Sequence, residues 1–203
     1  MVSVVNSKTH NSKLTTHNSQ LRTMNYQQSI FLKRRSCRKY TDEPLDPNQV
    51  KAIVEAGLLA PTSMNRRPCQ FTLVDDKELL EQLSHCKPHG AELLAGCALA
   101  VVVSANPSIS DVWVEDAAIA SSYIQLQAES FGLGTCWVQV RNRMRDNEDT
   151  SSEWVKNLLN MDGAEHVVSI IAIGHKDAPR PQATLDKLQW EKVHIGIWKE
   201  EEQ

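Results

Sequence analysis

The sequence predicts an α+β fold, with one central sheet, mixed or antiparallel, wrapped by helices. Three observations point there. Apolar, β-branched runs at 97–104 and 167–174 have the length and composition of buried strands. A helical stripe runs through 111–131. Helices and short strands interleave irregularly, without the repeated strand–helix–strand units that build a parallel sheet.

Residues 1–23 stand apart. They are rich in Ser, Thr, Asn and His, and Thr9-His10-Asn11-Ser12-Lys13-Leu14 returns as Thr16-His17-Asn18-Ser19-Gln20-Leu21. Such a segment buries too little apolar surface to offset its ordering entropy. It is expected to be disordered, or to precede a true start at Met24. The domain is assigned to 24–203.

A first helix is expected over 26–35, with Ile30 and Arg34 on one face. A second opens at Asp46-Pro47-Asn48-Gln49, where Asp46 suits the N-cap, Pro47 the first turn, and Gln49 the closing position of a capping box. Val50, Ile53, Val54 and Leu58 follow at helical spacing, and Pro61 stops the run. A strand at 70–74, a helix at 76–83 and the buried strand at 97–104 come next. In the long helix, Trp113, Ala117, Ala120, Ile124 and Phe131 share a stripe that Gly132 ends. A strand at 135–140, a helix at 151–159 and the strand at 167–174 complete the order. Residues 179–198 hold Pro and Trp with little periodicity and read as an arm that packs on something.

Composition narrows the function. The chain has 203 residues, 41% hydrophobic and 23% charged, with net charge −3. That suits one soluble globular domain and disfavours a nucleic-acid binder, which needs a broad basic surface. The longest apolar run, Cys97–Val103, is too short to span a bilayer, and no membrane partner is expected. Five cysteines, odd in number and without a CxxC pair, suggest reduced thiols in the cytoplasm. His85-Cys86-x-x-His89 could suggest metal, but Pro88 prevents helical i, i+4 placement of the imidazoles, so a solvated loop is expected and no metal site is assigned. Gly132-x-Gly134 ends a helix and is no dinucleotide fingerprint. Cys136 reads as a small buried strand residue.

The chemistry centres on Arg34-Arg35-Ser36-Cys37-Arg38, which puts three guanidiniums and a hydroxyl into five residues. Guanidinium forks match phosphate oxygens, so the stretch suits a phosphate monoester; a solvated basic turn is the competing reading.

A second stretch tips that balance. Ala60-Pro61-Thr62-Ser63-Met64-Asn65-Arg66-Arg67-Pro68 follows the second helix, and Gly132-Leu133-Gly134-Thr135-Cys136-Trp137 and Ile173-Gly174 follow in order. With Arg34-Arg35-Ser36-x-Arg38 and Tyr40, these resemble the nitroreductase family over about 24–198, with Arg67 where the family carries glutamine. The resemblance implies a homodimer with exchanged terminal segments and an FMN site at each interface. It implies that Arg34, Arg35, Ser36 and Arg38 hold the phosphate and ribityl chain. It implies that Pro61, Thr62, Ser63 and Asn65 approach from the partner subunit, and that Trp137, Val138 and Gln139 line the ring. Arg180 would supply a second phosphate contact. Arg38, or Arg67, would place a cation near the reduced ring, although Arg67 could equally face solvent. No catalytic side chain is needed, because flavin itself carries the redox chemistry. The activity implied is ping-pong hydride transfer from NAD(P)H through flavin N5 to a small acceptor such as a nitroaromatic or quinone. A flavin-storing or sensing module shares the same phosphate residues, and an Arg docking patch is the third reading.

Overall fold

The computed structural model describes residues 25–197. The expectations for 1–23, and Trp198, lie outside the described residues. Five helices are found among them: α1 (Tyr26–Lys33), α2 (Pro47–Leu58), α3 (Lys77–Ser84), α4 (Trp113–Ser130) and α5 (Ser151–Leu158). The strands are β1 (Cys69–Val74), β2 (Leu99–Ala105), β3 (Gly134–Gln139) and β4 (His166–Gly174). They form one sheet in the order β1-β2-β4-β3, antiparallel throughout. The α+β expectation therefore stands, in its antiparallel form.

The sheet is buried on both faces. The central strands β2 and β4 accordingly read as continuous apolar runs rather than alternating ones. On one face Ala100, Val102, Ile170, Ala172 and Val138 meet Leu80 and Leu83 of α3 and Val155 of α5. On the other, Val101, Val103 and Ile171 meet Ile53 of α2 and Ala117, Ile124 and Ala128 of α4. Small residues on α4 let it lie close against the strands. Gly57 of α2 does the same where the two helices cross, since a Cβ there would come 3.0 Å from Ile124 Cδ1.

The element order holds, and several local readings need correction. The first helix ends at Lys33, because residues 36–41 give their backbone hydrogen bonds to the sheet instead: Cys37 N–H donates to Thr135 O and Thr41 N–H to His175 O. The capping box at α2 does not form. The short Asp46 side chain accepts from Asn48 N–H at 2.7 Å, one residue earlier than a box requires, and Gln49 Oε1 is buried without a partner. The long helix begins at Trp113 and ends at Ser130. Phe131 thus leaves the stripe and is exposed, while Gly132 takes the left-handed conformation (φ 78°) as expected. His85 pairs with Glu81 at 3.4 Å, while Cys86 is buried in the core, so the two do not converge. Cys136 is buried on β3. No helix among the described residues is long and apolar enough to cross a membrane.

Candidate functional site

The arginine cluster sits where the chain leaves α1 and lies down beside the end of β3. Ser36 bridges Thr135 in parallel, and Tyr40 bridges Lys176 in antiparallel fashion. Two glycines make that approach possible. A Cβ on Gly134 would fall 2.7 Å from Cys37 Sγ, and one on Gly174 2.8 Å from the Tyr40 ring. Tyr40 Oη donates to Cys37 O at 2.7 Å, closing the 37–40 turn. Burial, with the neighbouring thiols adding to it, pushes the Tyr40 phenol far above its ordinary range, so it remains a donor. Thr135 is held from below by Gln125 of α4, whose Nε2 donates to its hydroxyl at 3.3 Å.

The five residues of the cluster are not equivalent. Arg35 donates to Pro181 O at 3.1 Å, and Ala183 N–H donates to Leu32 O at 2.9 Å. The 181–183 segment is thereby laid along 32–35, with Arg180 next to it in the chain. Ser36 bridges the strand beside the Cys136 thiol, whose pKa burial raises and Arg38 partly lowers. The guanidiniums of Arg34, Arg38 and Arg180 have no hydrogen-bond or ion-pair partner among the described residues. Guanidiniums without a counter-charge, carried by segments that meet at one main-chain junction, suit an anion. Lys176 is the nearby cation that is already spent: its Nζ reaches both oxygens of buried Glu129 at 2.8 and 2.9 Å.

The strand beyond this junction carries the expected ring-lining residues. Trp137 and Gln139 are half-buried, and the Trp137 indole N–H donates to Gln139 Oε1 at 2.9 Å. Gln139 Nε2 in turn donates to Arg141 O at 2.8 Å. Val138 is wholly buried in the opposite core, so it can offer a ligand only main-chain atoms.

The 60–68 loop is a second, separate candidate region. Met64, Asn65 and Arg67 adopt positive φ (51°, 55° and 51°) with no glycine among them. Three such residues in four store backbone strain that the surroundings must hold in place. Asp116 supplies much of that hold. This α4 carboxylate is 3% exposed; it accepts from Ser63 N–H at 2.9 Å and from the Ser110 hydroxyl at 3.0 Å. Thr62 Oγ1 accepts from Arg67 N–H at 3.1 Å, and Arg67 Nε donates to Asn65 Oδ1 at 2.9 Å. Arg66 pairs with Asp111 at 3.0 Å. Pro61, Met64, Asn65 and Arg67 are exposed, so the loop presents a fixed shape outward.

The two half-sites do not meet within one chain. The cluster lies at the Gly134–Gly174 end of the sheet on the β3 edge; the loop precedes Cys69, at the opposite end on the β1 edge. Strand rise and spacing put these corners about 25 Å apart.

Sequence reasoning singled out both stretches but missed the groups that hold them. Asp116 and Glu129 appear in the sequence as ordinary helix acids, and Lys176 as a surface lysine. No spacing rule marks them, because their partners are distant in the chain.

Comparison with known proteins agrees with this architecture. The family model described as the nitroreductase family matches residues 31–92 and 84–175. A putative NADH dehydrogenase/NAD(P)H nitroreductase of Methanothermobacter thermautotrophicus is 31% identical over 170 residues, covering 81% of this chain and 84% of the relative. One of the same description from Archaeoglobus fulgidus is 29% identical, covering 81% and 94%. The solved structure of an FMN-dependent nitroreductase from Clostridium difficile superposes with a TM-score of 0.82 at 41% identity, covering 83% of this chain and 98% of that one.

Proposed function

The chain belongs to the nitroreductase family, and on that premise we propose how its residues serve an FMN-dependent oxidoreductase with NAD(P)H as electron donor. When bound, FMN would supply the redox chemistry, hydride transfer from NAD(P)H by way of flavin N5 to a small acceptor such as a nitroaromatic or quinone, donor and acceptor using the same place in turn. Arg34, Arg38 and Arg180 hold the phosphate, with Arg35 fixing the segment that carries Arg180. Ser36 fastens the turn to β3 through its bridge to Thr135 and offers its hydroxyl to the ligand. Trp137 and Gln139, with the Val138 main chain, orient the ring. Pro61, Thr62, Ser63 and Asn65 complete the site from a second copy of the chain, and Arg67 stands beside them. Arg38 is the first cation available to favour the reduced, anionic ring.

The observation that carries this reading is the set of unpaired guanidiniums at Arg34, Arg38 and Arg180. A dianionic phosphate is the ligand that such a set fits best.

Two features support the homodimer with exchanged terminal segments. The half-sites lie at opposite corners, farther apart than FMN extends. Apolar side chains also remain exposed in this chain, including Leu59 (78%) and Met64 (80%) near one half-site and Trp190 and Ile197 on the C-terminal arm. Its five unpaired thiols fit a reducing cytoplasmic setting.

The test is the visible spectrum of purified, FMN-reconstituted protein before and after anaerobic NADPH or NADH. The expected result is a yellow protein whose flavin band bleaches within the turnover time. A yellow protein that neither nucleotide bleaches would point to flavin storage. A colourless protein that cannot be reconstituted would sink the proposal.

A further inference from the structure

Arg67 is held in place by contacts within its own loop. Its backbone is left-handed (φ 51°), and its N–H is bonded to Thr62 Oγ1. Its Nε donates to Asn65 Oδ1 at 2.9 Å. That contact consumes one of the five guanidinium donors and leaves the four on the terminal nitrogens, which have no partner among the described residues. The neighbouring Arg66 differs: its charge is met by Asp111 and its other nitrogen rests on Met64 Sδ. One arginine of the pair is therefore neutralised, while the other is anchored at its inner edge with its fork open. A free surface arginine loses side-chain entropy on binding an anion; Arg67 has already lost much of it.

We propose that Arg67 determines substrate specificity by receiving an oxyanion carried on the small molecule that exchanges electrons at the site beside Asn65. This rests on the oxidoreductase reading above, which puts the 61–67 loop against the flavin of the partner subunit. The same Nε–Oδ1 contact occupies the Asn65 amide oxygen, so what Asn65 has left to offer a ligand is its NH2 donors. An open guanidinium fork accepts a carboxylate or a phosphate in bidentate fashion; the glutamine that the resembling family carries at this position has neither the charge nor the fork. Two sources share this chemistry: the 2′-phosphate of NADPH, and a carboxylate on the acceptor.

The experiment compares wild type, Arg67→Gln and Arg67→Lys as flavin-loaded holoenzymes. It measures kcat/KM for NADPH against NADH, and for 4-nitrobenzoate against 4-nitrobenzamide with the better donor. Losing a charge-assisted bidentate contact lowers the ratio for the anionic member by roughly 10- to 100-fold in Arg67→Gln. Arg67→Lys recovers part of it, since the charge returns without the fork. A fall in the nucleotide ratio identifies the phosphate as the source, and a fall in the nitro-compound ratio the carboxylate. Both ratios within twofold of wild type would overturn the proposal. Because Arg67 is exposed, the substituted proteins are expected to fold, and thermal melting and flavin content verify it. A wild-type protein that takes up no FMN refutes the oxidoreductase reading instead; a turning-over Arg67→Gln with unchanged ratios refutes only this inference.

Discussion

At the scale of single residues, the side chains that look most chemical are not the ones that shape the site. The arginines announce themselves by type and spacing. Asp116 does not, although it sets the conformation of the loop that carries Thr62, Asn65 and Arg67. Its two oxygens are each matched to a donor, Ser63 N–H and the Ser110 hydroxyl, in a place where water does not compete. Removing the carboxylate in Asp116→Ala leaves both donors unmet and releases the strain of three left-handed residues. The expected cost is about 2–3 kcal/mol in urea denaturation of the protein. Asp116→Asn keeps an oxygen for Ser63 and is expected to cost less than about 1.5 kcal/mol. Equal losses in the two substitutions would show that hydrogen bonding at Ser63 is not what Asp116 contributes. Such a residue was invisible in the sequence because its role is defined by partners 53 and 6 positions away, one of them a backbone amide.

At the scale of elements, the sequence was most legible where periodicity and end signals agree. β2 and β4 are recognisable as buried strands and α4 as a helix with an apolar stripe closed by Gly132; the helix expected at 76–83 is found as α3, with Asp76 as its cap. The first helix was drawn too long because nothing local distinguishes Arg34 and Arg35 from a helical turn; the sheet end competes for the backbone of 36–41 and wins. That docked segment is the element on which the phosphate half-site depends. It fits because Gly174 faces Tyr40 and Gly134 faces Cys37 with no side chain between. Gly174→Ala drives a methyl to 2.8 Å from the Tyr40 ring, and the ring cannot retreat without giving up its bond to Cys37 O. The expected result is a loss of about 1–3 kcal/mol in stability. FMN affinity, read by fluorescence quenching on titration, falls with it because the displaced segment carries Arg38. Gly163→Ala is the control, as nothing lies within 4 Å of the added carbon. If Gly174→Ala binds FMN as tightly as the control does, the docking of 36–41 is not what positions the arginines.

At the scale of the whole molecule, the sheet separates the two half-sites. Each is built by a different end of the fold, and α4 serves both: Asp116 in its first turn holds the loop, and Gln125 and Glu129 near its end support the β3 junction and Lys176. On the proposed reading a second copy of the chain completes either site, and twofold symmetry then completes both at once. Subunit complementation tests this directly. One variant, Arg34→Ala/Arg38→Ala, loses the phosphate half; another, Asn65→Ala/Arg67→Ala, loses the loop half. Each alone is expected to retain little NAD(P)H-dependent reductase activity. Co-expressed, they pair at random, half the dimers are mixed, and each mixed dimer regains one intact site of two, giving about a quarter of wild-type activity. The mixed species should elute at twice the chain mass of 22.8 kDa. No recovery from a pool that does contain mixed dimers would mean that each chain completes its own site, and the loop at 61–67 would then have to be assigned to another partner.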